Sequence, residues 1–151
     1  MYSIRHLKRS DLSPCARAYV RTFNGKPWND HWTVPAARKR LQDILDTPRF
    51  FGLIMADGRN VIGAVLGNIE CWYDRYHYNL KEMFVQPAHQ GSGLGTEMMT
   101  RVRRDLRKKD VIGIYLFTTG TGRVPLFYAR NGFKKVSGMQ MMSLKFGRKD
   151  R

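Results

Sequence analysis

Apolar residues recur along the chain with two different periods, and each change of period marks an element. Leu94, Met98, Val102 and Leu106 repeat every four positions, with Met99 widening the stripe, which predicts an amphipathic helix carrying Arg101, Arg103, Arg104 and Arg107 on its polar face. Positive charge gathers toward Lys108-Lys109, at the end where a helix dipole favours cations. Upstream, Ser13-Pro14 reads as a helix start running to about Phe23, the serine oxygen capping free amides and the proline taking the first helical position. Thr33-Val34-Pro35 reads as a second start, followed by Leu41, Ile44 and Leu45 at helical spacing and stopped by Thr47-Pro48.

Short continuous apolar runs have the other character. Phe50 to Met55 and Val61 to Leu66 predict two strands joined by a turn carrying Asp57-Gly58, hence an antiparallel hairpin. A polar and aromatic stretch from Cys71 to Tyr78 leads to a third run, Met83-Phe84-Val85, which Pro87 closes. Val111 to Phe117 is β-branched and aromatic, which predicts a buried strand covered on both faces. Strand, glycine-rich turn, helix and strand in that order imply a parallel crossover. A short helix from Val124 to Arg130, stopped by Asn131-Gly132, and final strands near Phe133 to Val136 and Met139 to Phe146 complete a mixed α/β sheet. No repeat, low-complexity tract or linker divides the chain, so residues 1–151 are expected to form a single domain.

Composition narrows the function class. With 42% hydrophobic and 12% aromatic residues in 151, the chain can build a core, which argues against disorder. Met1 to His6 lacks the apolar region of a secretory signal, and no apolar run approaches the roughly 18 residues that span a bilayer, so a cytoplasmic protein with no membrane partner is expected. Cys15 and Cys71 form no CxxC or Cys/His spacing, and no His/Asp/Glu pattern suggests a metal. Against 12 Asp and Glu stand 27 Lys and Arg, a net charge of +15, which predicts an anionic partner: nucleic acid, an acidic membrane surface or a phosphorylated cofactor.

Gln90-Gly91-Ser92-Gly93-Leu94-Gly95 bears on that choice, because it lies between a predicted strand and a predicted helix, where backbone amides and the helix N-terminus can converge on an anion. Its spacing is not GxGxxG, and no Gly-Lys-Ser/Thr follows, which disfavours dinucleotides and nucleoside triphosphates. A turn that merely reverses the chain is the plainer reading of the glycines alone.

The wider pattern, Val85-x-Pro87 with Gln90-x-x-Gly93-x-Gly95 and, later, Tyr128-x-x-x-Gly132-Phe133, resembles the GNAT superfamily of acyl-CoA-dependent N-acyltransferases. The resemblance covers about Leu80 to Lys109 and the later helix to Phe133. It implies a mostly antiparallel central sheet containing a parallel pair that splays apart, with flanking helices. It implies acetyl-CoA as co-substrate, its pyrophosphate wrapped by the backbone of Gln90, Gly91, Ser92, Gly93, Leu94, Gly95 and Thr96. Its pantetheine would add like a strand to the main chain of Phe84 and Val85. Many relatives carry an Asn seven residues before the tyrosine; Thr121 stands there and is the candidate replacement. His89 has a plain surface reading.

Acyl transfer from a thioester to an amine requires the amine to lose a proton and the thiolate to gain one. Glu82, on the strand the resemblance assigns to the acetyl group, is the candidate base, directly or through water; the bland alternative is a sheet-edge carboxylate paired with Lys81 or Arg75. Tyr128 matches the family tyrosine directed at the sulfur and is the candidate acid; the alternative is helix packing beside Phe127 and Phe133. Trp28, Trp72, Asp74 and His77 are candidate acceptor-binding residues, near Trp32, Tyr73, Tyr76 and Tyr78, since aromatics and carboxylates together hold cationic amines. Core or hairpin packing explains such aromatics equally well. No Ser or Cys has a nucleophile setting, Cys71 being a weak exception, so direct transfer is the simpler mechanism.

The expected reaction is therefore acetyl transfer from acetyl-CoA to a primary amine, on a small or aminoglycoside-like molecule in preference to a peptide or protein. The competing readings are a basic nucleic-acid-binding module, against which a solvated helix face explains the same basic residues, and a non-catalytic acyl-CoA sensor of the same fold. A homodimer in which the late strands pair with a second copy is a further expectation. Charge distribution favours the enzyme over a nucleic-acid binder: residues 1–82 carry 13 basic and 8 acidic side chains, while residues 83–151 carry 14 and 4, so two thirds of the excess lies in the half expected to bind coenzyme A. Glu70, Asp74 and Glu82 against Arg75 and Lys81 predict a locally acidic acceptor edge.

Overall fold

The computed structural model describes residues 1–148 and divides into two compact units, Met1–Phe117 and the segment from Thr118 onward. In the first unit, β1 (Ser3–His6), β2 (Phe50–Asp57), β3 (Asn60–Cys71), β4 (Tyr76–Val85) and β5 (Val111–Tyr115) form one five-stranded sheet in sequence order. The first three pairings are antiparallel and β4–β5 is parallel, the mixed sheet that the pattern predicts.

Helices α1 (Leu12–Phe23) and α2 (Val34–Leu45) cover one face of this sheet. Leu12, Ala16, Tyr19, Leu41 and Ile44 form with Ile54, Ala64, Leu66 and Phe84 a continuous buried cluster. Helix α3 (Leu94–Arg107) touches β2, β4 and β5 and buries Met98, Met99, Val102 and Leu106. Strand periodicity puts Leu53 and Met55 on the face opposite Ile54, and all three are fully buried, so the central strands are covered on both sides.

Local chemistry explains most boundaries. Thr33 caps α2 as expected, its hydroxyl accepting from the Ala36 amide at 3.2 Å. Helix α1 departs from expectation: it begins at Leu12 after a 3-10 turn, and its N-cap is Asp11. The Asp11 carboxylate takes the Lys8 amide at 2.7 Å and the Arg5 guanidinium at 2.8 Å, while Ser13 instead accepts from Arg38 at 3.1 Å. The four-residue β1 carries no alternation that could announce it.

Three strand expectations are corrected. The stretch from Cys71 to Tyr78 is not a connector, because β3 and β4 extend into it and close a hairpin around Trp72–Arg75, where the Trp72 amide donates to the Arg75 carbonyl at 2.8 Å. Strand β5 is not buried on both faces: it ends at Tyr115 as the sheet edge, and Ile112 and Phe117 are exposed. Among the described residues no strand follows β5; Val136, Met139, Met141, Leu144 and Phe146 lie exposed, Phe146 at 87%.

The second unit holds α4 (Arg123–Arg130). Its end explains the Tyr-x-x-x-Gly-Phe pattern. The Phe133 amide donates to the Tyr128 carbonyl and the Gly132 amide to the Ala129 carbonyl, both at 3.0 Å, with Gly132 at φ 88°. The Tyr128 and Phe133 rings close over this turn at 5.4 Å, the hydrophobic contact that accompanies a Schellman motif.

Candidate active site

Strand β4 carries one residue too many for its partner. Gly67 of β3 stands opposite Leu80 and the adjacent Leu66 opposite Glu82, so Lys81 is the extra residue of a β-bulge. The consequence is a change of face. Tyr78 packs edge-on against Phe51 at 5.5 Å and donates to its carbonyl at 2.8 Å, on the side away from Ile54. Phe84, six positions later, would share that side in a regular strand; instead it packs on Tyr19 and Phe23, with centroids 5.8 and 6.0 Å apart. Glu82 accordingly points beneath α1 and α2. Gly67 allows the close approach, since a Cβ there would run into the Asn79 carbonyl and the Tyr78 ring.

The bulge also marks where the parallel pair separates. Tyr76 to Asn79 pair with β5 as far as Tyr115, whereas Leu80 to Val85 pair only with β3. The other edge of this stretch of β4 therefore offers main-chain donors and acceptors, while the Phe84 side chain is committed to the core. The Val85 carbonyl takes a hydrogen bond from Gln90 Nε2 at 2.8 Å, tying the strand end to the glycine turn.

Gly91 and Gly93 adopt φ of 80° and 83°, which L side chains rarely accept, and Gly93 is the N-cap of α3. A Cβ on either would meet no atom within 4 Å, so the space beside this backbone is open to an incoming group. Ser92 Oγ donates to the His89 carbonyl at 2.9 Å and shapes the turn. Leu94 and Gly95 are half-buried, Thr96 is exposed, and this first helical turn directs its amides out of the N-terminus. Turn and strand edge together fit a pyrophosphate followed by an amide-bearing arm.

Two residues that no local pattern singles out hold Glu82. The Tyr19 hydroxyl donates to Oε1 at 3.0 Å and Arg40 Nε to the same oxygen at 3.2 Å. The alternative pairing with Lys81 or Arg75 does not occur; the ion pair of Glu82 is with Arg40. The Glu82 side chain is 14% exposed. Burial pushes its carboxyl above the ordinary range, while the Tyr19 hydroxyl and the Arg40 guanidinium pull it back. The Tyr19 phenol is driven far above its usual range by burial and by the neighbouring carboxylate. Both of these donors go to Oε1, and no described group donates to Oε2.

Trp32 stands edge-on to Tyr19 at 5.2 Å, and Trp28 packs on Phe23 at 5.6 Å, so Trp28 belongs to the aromatic cluster beside Glu82. Trp72, Asp74 and His77 sit at the far end of the β3–β4 hairpin. Trp72 and His77 pack together at 5.4 Å, and Asp74 accepts from the Arg75 amide at 2.8 Å within the turn. The acidic edge expected over residues 70–82 is thus spread along the strands. Tyr115, also missed in the sequence, donates to Glu70 at 2.5 Å, and its phenol is pushed up to about 12 by burial and that carboxylate.

In the second unit, Tyr128 is half-buried between Phe127 and Phe133, and Thr121 is exposed with its carbonyl accepting from Thr119 Oγ1 at 3.1 Å. Cys15 is buried, its thiol pushed up to about 12, and Cys71 is exposed. Among the described residues no three His, Cys, Asp or Glu side chains converge as for a metal ion, and no helix is long and apolar enough to cross a membrane.

Comparison with known proteins gives the same architecture. A transcriptional regulator from Bacillus halodurans C-125 superposes with a TM-score of 0.76 at 14% identity, covering 97% of this chain and 100% of that one. The aminoglycoside N-acetyltransferase AAC(6')-Iy, solved in complex with CoA, superposes with a TM-score of 0.73 at 15% identity over 97% and 96% of the two chains. An aminoglycoside acetyltransferase from an uncultured soil metagenomic sample, solved with sisomicin, gives 0.70 at 16% identity over 98% and 97%. No curated protein matches. Residues 49–135, more than half of the sequence, match the family described as the acetyltransferase (GNAT) domain, whose members take their acetyl group from acetyl-CoA. That match contains the bulged strand with Glu82, the glycine turn and the Tyr128 helix, and the chain belongs to the GNAT acetyltransferase family.

Proposed function

We propose that this chain transfers an acetyl group from acetyl-CoA directly to a primary amine, with Glu82 as general base, acting directly or through water. The carrying observation is the placement of Glu82: mostly covered, with a raised pKa and one uncommitted oxygen, on the strand that parts from β5 and leads into the glycine turn. A carboxylate with a raised pKa is a better proton acceptor for an ammonium than an ordinary one. The main chain of Phe84 and Val85, the backbone from Gln90 through Thr96, and Thr121 are assigned to coenzyme A. Tyr128 is assigned to proton donation toward the departing thiolate.

The acceptor is a small amine or an aminoglycoside-like molecule, a reading supported by the names of two structural neighbours and by the aromatic and carboxylate side chains around Glu82. Trp28 lines this site, with Trp72, Asp74 and His77 at its outer end. Residues 1–151 act as one acetyltransferase domain, in the cytoplasm. The exposed apolar side chains after residue 135 support a homodimer formed through this segment. Against nucleic acid as the main partner, Arg101 and Arg104 are already engaged by Asp105, at 2.8 and 3.2 Å.

Release of free thiol from acetyl-CoA across a panel of amines tests the reading. Amine-dependent release supports it; stabilisation by acetyl-CoA with no release from any amine would leave a sensor, and absence of both, alongside salt-sensitive RNA or DNA binding, would replace it with the nucleic-acid reading.

A further inference from the structure

The sheet face that carries Glu82 continues beyond the helices. Along β3, Ala64 and Leu66 are fully buried under α1 and α2, Asn68 and Glu70 are half-buried, and Trp72 is 53% exposed. These alternate residues share one face. Register brings His77 opposite Glu70, and the Tyr115 hydroxyl reaches Glu70 from β5, across β4, at 2.5 Å. The face thus emerges from beneath the helices as a half-open floor with a carboxylate at its centre.

The two carboxylates on this floor differ in their counter-ions. Glu82 has Arg40 and the Tyr19 hydroxyl. Among the described residues no lysine, arginine or histidine pairs with Glu70, although the chain carries 27 Lys and Arg against 12 Asp and Glu. Tyr115 fixes the carboxylate and leaves most of its lone pairs free. The contrast suits two different tasks. A nitrogen that must shed its proton to react should not be held as an ammonium, and Arg40 weakens Glu82 as a cation trap. A nitrogen that stays charged needs an uncompensated carboxylate, with an aromatic surface beside it, and Glu70 with Trp72 supplies both.

We propose that Glu70, positioned by Tyr115, anchors a second ammonium group of the acceptor while the reacting amine lies at Glu82. Glu70 is four residues along β3 from Leu66, the partner of Glu82 on the neighbouring strand, which sets the backbone spacing of the two carboxylates at about 14 Å. The acceptor class is therefore an elongated amine with two cationic nitrogens about that far apart. This rests on the acetyl-transfer reading above, and it adds a subsite and a length requirement to it.

The test compares acetyl transfer to 1,10-diaminodecane, to the shorter 1,4-diaminobutane, and to 10-aminodecan-1-ol, which has the length without the second charge. The long diamine should exceed both others by about tenfold in kcat/KM, through KM, a loss of one charge-assisted contact. Glu70→Gln should bring the ratio of long diamine to amino alcohol close to one, with Tyr115→Phe intermediate. Spermidine and an aminoglycoside, assayed in parallel, separate flexible from rigid sources of the same spacing, and a Glu70 dependence with either supports the anchor. Equal use of diamine and amino alcohol, or an equal loss of both in Glu70→Gln, would overturn it while leaving acetyl transfer intact. If no amine is turned over, calorimetry with 1,10-diaminodecane decides: binding lost in Glu70→Gln keeps the subsite and removes the transferase, whereas no binding to the wild type overturns both.

Discussion

The Tyr19 hydroxyl donates to Glu82 Oε1 at 3.0 Å, although the two residues lie 63 positions apart in the chain. The contact joins the buried face of α1 to the bulged strand, and it is one of two that oppose the effect of burial on the carboxyl. It makes Tyr19 a positioning residue for the proposed base.

Replacing Tyr19 with Phe removes a donor to the ionised form and so raises the Glu82 pKa further. A base works when ionised, so the acid limb of kcat/KM against pH moves to higher pH, while the plateau in alkali changes little. A packing role alone would lower the plateau and leave the limb where it was.

Glu82→Gln separates function from stability. Turnover falls by about 100-fold or more as the base is lost. Because the folded-state pKa of Glu82 is raised, its contribution to stability is present in full below the unfolded value and is lost as pH rises through the folded one. Denaturant unfolding should therefore show the variant gaining on the wild type between pH 4 and pH 8; a constant difference across that range would contradict the placement of this carboxylate.

Tyr128→Phe keeps both ring contacts, to Phe127 and Phe133, and removes only the hydroxyl. Turnover is expected to drop by about 100-fold with acetyl-CoA affinity nearly unchanged. Steady-state kinetics together with calorimetry of acetyl-CoA decide, and unchanged turnover would confine Tyr128 to packing.

Gly132→Ala forces a Cβ into the left-handed turn that closes α4, at φ 88°. The expected cost is about 1–2 kcal/mol, read by denaturant unfolding. Gly93→Ala, also at positive φ but beside the open space at the start of α3, should act on acetyl-CoA, raising its KM by about tenfold.

The periods of the apolar residues predict α2 and α3, and the short apolar runs with Asp57-Gly58 between them predict the β2–β3 hairpin, because each rests on contacts between near neighbours in the chain; the parallel crossover, whose paired residues lie about 35 positions apart, follows from the order strand, turn, helix, strand. The glycine turn and the Tyr128–Phe133 pattern are legible for the same reason: a positive φ at Gly93 and a helix stop at Gly132 are local conformational demands, and only certain residues meet them. Strand β5 escapes this reading because β-branched runs suit a half-covered edge as well as a central strand. The apolar residues over Phe133 to Val136 and Met139 to Phe146 read as strands, and among the described residues these segments form none.

What the sequence alone determined is the succession of helices and strands from α1 to α4, the family motif and the identity of Glu82 as a carboxylate worth testing. Its partners came only with the tertiary structure. Tyr19 reads as one more core aromatic and Arg40 as one of several basic residues on α2. The bulge at Lys81 leaves no mark in the apolar pattern, although it decides which face of the sheet Glu82 joins. Glu70 and Tyr115, on strands separated by β4, meet because side chains sharing a face reach across a strand between them. Such contacts depend on register, and register is set by the packing of the whole sheet against its helices, which no short window of sequence contains.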